Sequence, residues 1–238
     1  CAAGGRDRPH CLVVGVGAGT GLACVRRFAA EGYKVSMIAR HQGRLDTWAN
    51  EITYTTPYAA DITDIESFRS TLAQIYSDQG VPKVIVYNAS LATFAHYSEL
   101  DPKDFERNFR ANTTGLLMTA QAFGPSMVEA GGGAIVITGN TGARRGTARF
   151  VGFAPTKASQ RILGESLARE LGPQGVHVAY VIIDAMIDMP MVRKRMPDKP
   201  AKFFAQPEEI AGEVYHIAHQ PRSTWSYLHE IRPFEEPW

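Results

Sequence analysis

The sequence predicts an α/β domain: a parallel sheet with helices covering both of its faces. Two observations carry that expectation. Short apolar runs of strand length alternate with longer stretches of helical spacing along nearly the whole chain, and strands that alternate with helices become parallel neighbours buried on both sides. The first such unit, Cys11 to Glu31, runs from Leu12, Val13 and Val14 through glycines at Gly15, Gly17, Gly19 and Gly21. It then enters a helix with Leu22, Val25, Phe28 and Ala29 on one face. A buried strand thus meets a helix at a glycine-rich corner. Glycine there allows positive φ and a close backbone approach, while the first-turn N–H groups and the helix dipole favour an anion such as a pyrophosphate. The corner reads as a dinucleotide cradle, with a glycine-rich turn that binds nothing as the alternative.

Composition narrows the function classes. At 238 residues and 45% hydrophobic content the chain suits one domain with a sizeable core. No internal repeat or linker divides it, so 11–238 reads as a single domain behind a small polar lead-in, residues 1–10 (CAAGGRDRPH). That lead-in has no apolar stretch resembling a signal peptide, although a chain beginning at Cys1 leaves open a targeting segment removed earlier. A net charge of +1 gives no general attraction to nucleic acid or an anionic membrane, and no apolar run approaches the roughly 20 residues of a transmembrane helix. The expected partner is a small molecule. Cys11 and Cys24 fall in a strand and a helix and read as buried thiols in a reducing compartment, the cytoplasm. Neither a CxxC nor a Cys/His cluster points to a metal.

The elements follow in order. Tyr33 to Ala39 is the second strand, with Arg40 and His41 directly after it. In a doubly wound sheet that position faces the adenosine ribose, where a carboxylate accepts from a ribose hydroxyl and a cation pairs with a 2′-phosphate. Arg40 in place of an acid favours NADP over NAD, unless it is only a solvated loop charge. A helix around Arg44 to Glu51 and a strand near Thr53 to Tyr58 lead to Asp61, Ile62, Thr63 and Asp64, which suit an adenine contact, helix capping or both. Ile65 to Ser77 is helical, Lys83 to Tyr87 is a strand followed by Asn88, Ala89 and Ser90, and Asp101-Pro102 starts another helix. After the break at Gly131 to Gly133 comes a strand at Ile135 to Thr138, then an irregular loop from Gly139 to Phe150. A helix from about Phe153 to Leu171 stops at Gly172-Pro173. Val176 to Ile183 is the sixth strand. Asp184 to Ala205, with four methionines and several prolines, reads as a mobile lid with short helical pieces. Pro207 to His219 is the last helix and Thr224 to Ile231 the last strand.

Over nearly its whole length the chain resembles the short-chain dehydrogenases/reductases, and four motifs in order carry the resemblance. The family's TGxxxGxG is met from Val14-Gly15 through Gly19-Thr20-Gly21, with Val14 where Thr is usual. Asp61 matches the Asp after the third strand, Asn88-Ala89-Ser90 the NAG after the fourth, and Asn112 the structural asparagine of the middle helix. The resemblance implies a Rossmann-like doubly wound sheet of about seven strands, a bound dinucleotide that Arg40 makes NADP, and a homodimer or homotetramer to which the last helix, the last strand and the aromatic tail Phe234 to Trp238 contribute, unless that tail packs on its own domain.

The resemblance breaks at the chemistry. In the family a Tyr four residues before a Lys exchanges the proton, and a Ser thirteen residues before that Tyr orients the substrate carbonyl. Lys157 stands at the Lys position, where the resemblance implies a contact to the cofactor ribose, but Phe153 occupies the Tyr position and Asn140 the Ser position. A phenyl ring has no proton to give, which removes an effect worth typically 10² to 10⁴-fold; Asn140 still carries a donor for a carbonyl oxygen. After the sixth strand Ile187 fits the isoleucine of the family's I-x-T, but the preceding PG is absent and Met189 replaces the Thr. Tyr97, Asp184 and Asp188 are alternative acids, or else a packed aromatic and two loop carboxylates. The expected function is an NADP(H)-dependent oxidoreductase with Asn112, Asn140, Phe153 and Lys157 at its chemical centre and a largely apolar pocket. The alternatives are a non-redox dehydratase, isomerase or cyclase on the same scaffold, and a dinucleotide-binding protein without turnover.

Overall fold

The computed structural model describes residues 8–235. Seven strands form one sheet: β1 (His10–Val14), β2 (Lys34–Ala39), β3 (Thr55–Ala59), β4 (Val84–Tyr87), β5 (Gly133–Asn140), β6 (Val176–Ile183) and β7 (Leu228–Ile231). Their order is β3-β2-β1-β4-β5-β6-β7 and every pairing is parallel. Pro57 sits in β3, at the sheet's edge, where a missing N–H breaks no central ladder. The helices are α1 (Thr20–Ala30), α2 (Gln42–Glu51), α3 (Ile65–Gln79), α4 (Pro102–Phe109), α5 (Gly115–Glu129), α6 (Ala154–Leu171), α7 (Pro190–Arg195) and α8 (Pro207–Ala218).

Alternation along the strands divides the core into two layers. Leu12 and Val14 of β1 point to the face covered by Phe68 and Leu72 of α3 and Leu116 and Phe123 of α5. Cys11 and Val13 point the other way, to Phe28 of α1 and Ile210 and Val214 of α8. Both faces of a central strand are therefore apolar, which is why it reads as a continuous run rather than an alternating one. This is the doubly wound Rossmann-like fold, with the strand order reversing between β1 and β4.

Several boundaries depart from the sequence reading. β1 opens at His10, which is buried between Ser36 and the Gly80 carbonyl, so the lead-in is shorter than expected; residues 1–7 lie outside the described residues. The helix opened by Asp101 continues through a π-helical turn (Arg110–Thr114) into α5, placing Asn112 in the π turn. β5 extends to Asn140, a strand end rather than a loop residue. β7 begins only at Leu228, because Arg222–Thr224 forms a 3₁₀ turn. Of the aromatic tail, residues 236–238 lie outside the described residues.

The Gly15 backbone is strongly constrained: its φ is +91°, and a Cβ there would press into the Ala89 backbone. Gly15→Ala should therefore lose about 2 kcal/mol or more in urea unfolding. Gly43→Ala, on an open face of α2, should gain up to about 1 kcal/mol. Equal stabilities for the two variants would contradict this account of the corner.

Candidate active site

A cleft of about 430 Å³ opens at the carboxyl ends of β1, β2 and β4, where the strand order reverses. Ligands of doubly wound sheets bind at such reversals. Its floor is the glycine corner. A Cβ on Gly21 would come 2.7 Å from the Gly15 carbonyl oxygen, whereas one on Gly17 would meet nothing within 4 Å. Gly15 and Gly21 thus let the turn close on itself and on Ala89, and Gly17 faces open space. Thr20, first residue of α1, is buried and its Oγ1 has no partner among the described residues. Buried hydroxyls are normally hydrogen-bonded, so an orphan at a helix N-terminus facing a cleft points to a ligand.

The cleft brings together Gly15, Gly17, Gly19, Thr20, Gly21, Arg40, His41, Asp61, Ile62, Asn88, Ala89 and Ile187. Arg40, His41 and Arg44 stand exposed along its rim at the end of β2. Asp61 commits one oxygen to the Thr63 N–H (2.9 Å) and hydroxyl (2.7 Å), and the other lies 3.7 Å from Arg107. Burial works to raise its pKa, but these hydrogen bonds, with Arg107 and Arg40, outweigh it and hold the carboxyl below its ordinary value. Asn88 joins two walls: its Nδ2 donates to the Gly15 carbonyl and its Oδ1 accepts from the Thr138 hydroxyl, each at 2.8 Å.

The four residues expected at the chemical centre lie outside this lining. Asn140 takes the Gly142 N–H on its Oδ1 (3.0 Å), capping a 3₁₀ turn, and among the described residues its Nδ2 has no partner. Phe153 is buried at the N-cap of α6 and packs edge-on against Phe94, with Phe150 close by, in an aromatic cluster. Asn112 is fully buried, with its amide used by the Leu91 backbone on both sides and by the Thr156 hydroxyl. Its side chain is a clamp between the segment after β4 and α6, while its backbone carbonyl accepts from Gln160. Lys157 is only 2% exposed. Its Nζ donates to the Thr138 carbonyl (3.1 Å) and to Gln160 Oε1 (2.6 Å), and burial lowers its pKa to about 7.

The alternative acids stand as follows in the structure. Tyr97 is 75% exposed and leans on His96. Asp184 pairs with Arg232. Asp188 forms a two-bond pair with Arg193, both contacts at 2.7 Å; those hydrogen bonds outweigh a smaller burial effect and lower its pKa. That pair braces the segment after β6, whose base is closed by an Ile187 to Ala205 bridge. Met189 lies against Gly19, so the Met in place of Thr covers the corner with a thioether. Three residues were missed from sequence: Arg44 on the rim, Thr138 behind Asn88, and Gln160. Only Gln160 had a signal, its position three residues after Lys157 on the same helix face.

These features define a class: a doubly wound α/β protein with a nucleotide-type cleft at its sheet reversal. The chain belongs to the short-chain dehydrogenase/reductase family, whose model, described as short chain dehydrogenase, matches residues 9–200. It is 30% identical over 220 residues to the 3-oxoacyl-[acyl-carrier-protein] reductase MabA of Mycobacterium tuberculosis, covering 89% of this chain and 86% of that one. It is 26% identical over 213 residues to carbonyl reductase [NADPH] 2 of Sus scrofa, covering 85% and 86%. The alcohol dehydrogenase of Thermococcus sibiricus, solved with 5-hydroxy-NADP, superposes with a TM-score of 0.86 at 24% identity, over 97% of this chain and 99% of that one, and shares the fold.

The buried lysine sets a pH dependence. The unfolded chain holds the Lys157 proton up to about pH 10.5, while the folded chain releases it near 7. Between these values the unfolded state binds more protons, so stability rises with pH, by up to about 1.4 kcal/mol per unit. Denaturation at pH 7.5 and 9 should show this increment in the native chain and not in Lys157→Met. The same slope in both would mean that Lys157 titrates normally.

Proposed function

We propose that the chain is an NADP(H)-dependent oxidoreductase acting on a carbonyl or alcohol of a small, largely apolar substrate. The observation that carries this is the cleft itself: the open Gly17 face and the partnerless Thr20 hydroxyl suit a pyrophosphate. Arg40 and Arg44, at a strand end without a carboxylate, suit a 2′-phosphate. The NADPH in the name of the pig relative and the NADP in the archaeal structure agree with that choice. The cofactor, when bound, exchanges hydride.

The chain's own residues do the rest. Phe153, Phe94 and Phe150 form an apolar wall, and Asn140 Nδ2 is free to donate to a substrate oxygen. Lys157, its proton held near pH 7 by burial, takes over the proton-holding duty for which Phe153 has no group, since general acid-base groups work best with a pKa near the operating pH. Phe153 is also what favours a second reading, a non-redox enzyme or a dinucleotide-binding protein without turnover. Phe109, Leu117 and Ile162, exposed along one groove of α4, α5 and α6, support a homo-oligomer. The buried free thiols Cys11 and Cys24 support a reducing compartment such as the cytoplasm.

Fluorescence titration should show NADPH binding about 10-fold or more tightly than NADH, a preference that Arg40→Ala removes; binding of neither would sink the oxidoreductase reading. Phe153→Tyr should raise carbonyl reduction by about 10² or more. A folded, NADPH-binding Phe153→Tyr variant with no gain on any ketone would favour the non-redox reading.

A further inference from the structure

Behind the cleft, on the inner side of α6, Gln160 is completely buried one turn beyond Lys157. Both polar atoms of its amide are engaged. Nε2 donates to the Asn112 carbonyl in the π turn. Oε1 accepts from Lys157 Nζ at 2.6 Å and from the Tyr180 hydroxyl at 3.2 Å. A buried glutamine is more often a polar side chain satisfied in passing, but this one has no freedom of orientation. A backbone carbonyl only accepts and an ammonium only donates, so nitrogen must face Asn112 and oxygen must face Lys157.

The consequence lies at Nζ. An ammonium has three N–H bonds; Thr138 and Gln160 take two, and among the described residues nothing takes the third. A neutral amine has two N–H bonds and a lone pair, and the same acceptors take both N–H bonds. In either state one direction of Nζ has no partner among the described residues, carrying the proton in the first and the lone pair in the second.

We propose that Gln160 is a positioning residue for Lys157, fixing one N–H on its amide oxygen so that the direction in which Lys157 gives or takes a proton stays constant. The proposal rests on the oxidoreductase reading for its purpose, but not for its test. Around Nζ, β5 contributes the Thr138 carbonyl and α6 the Gln160 amide oxygen, which also accepts from Tyr180 of β6, whose phenol burial pushes well up and keeps neutral. Tyr227, bonded to the Arg161 carbonyl, is likewise pushed up by burial. With no carboxylate against the lysine among the described residues, the Gln160 amide is the only side-chain acceptor its charged form has.

The test follows the Lys157 Nζ proton in the full chain by ¹⁵N-lysine NMR across pH 5 to 11, with the signal assigned by its loss in Lys157→Met. No cofactor or substrate is needed, so failure of the NADPH titration leaves this readout intact. Gln160→Met removes an acceptor from the charged form and should lower the titration midpoint by about one unit or more; Gln160→Glu adds a carboxylate and should raise it by a similar amount. If the Glu variant does not fold, Gln160→Leu replaces it, with a lowered midpoint expected. Midpoints unchanged from the native chain in folded variants would make Gln160 a packing residue and overturn the proposal.

Discussion

An ammonium group almost wholly removed from water has to be given acceptors, and the carboxyl-terminal half of this sheet is arranged around that requirement. Lys157 reaches from α6 to the Thr138 carbonyl of β5 and to Gln160 on its own helix. Gln160 hands the demand on to the Asn112 carbonyl. That carbonyl belongs to a π-helical turn, whose extra residue interrupts the regular i to i+4 ladder and frees backbone groups for other partners, as π-bulges at functional sites do. Every acceptor in the chain is neutral, so the desolvation of the charge is answered only in part. The result is a lysine whose proton is labile near neutral pH.

The same strand end ties this network to the cleft. Thr138 gives its carbonyl to Lys157 and its hydroxyl to Asn88, and Asn88 holds the Gly15 carbonyl at the glycine corner. The corner is thus linked to β5, two strands away, through the side chains of Asn88 and Thr138. The two halves differ in what the sequence offers: the nucleotide half carries the glycine corner, Asp61 and Asn88, while the chemical half has Phe153 where the family resemblance leads one to expect a tyrosine. Function on this scaffold has to be argued from the altered half, because the fold is shared by proteins of many activities.

Much of this was legible in the chain. The doubly wound sheet follows from strand and helix periods, and the cleft residues from the glycine spacing with Arg40, Asp61 and Asn88. What was not legible depends on contacts between distant segments. Asn112 was identifiable as a special asparagine, but only the fold shows its amide spent on Leu91 and Thr156. The π turn has no local signature, since Arg110 to Thr114 contains no breaker. Asp188 read as a candidate acid because its partner Arg193, five residues on, is brought back by the first turn of α7. Burial of Lys157 could not be read from its helix, where a lysine is ordinarily solvated.

The most direct test of the whole account is the structure of this chain crystallised with NADP. The account predicts a pyrophosphate oxygen within hydrogen-bond range of Thr20 Oγ1, the 2′-phosphate against the Arg40 guanidinium, and the nicotinamide ribose on the open direction of Lys157 Nζ. A cleft without cofactor at saturating NADP, or a cofactor bound with its 2′-phosphate away from Arg40 and its ribose away from Lys157, would contradict it.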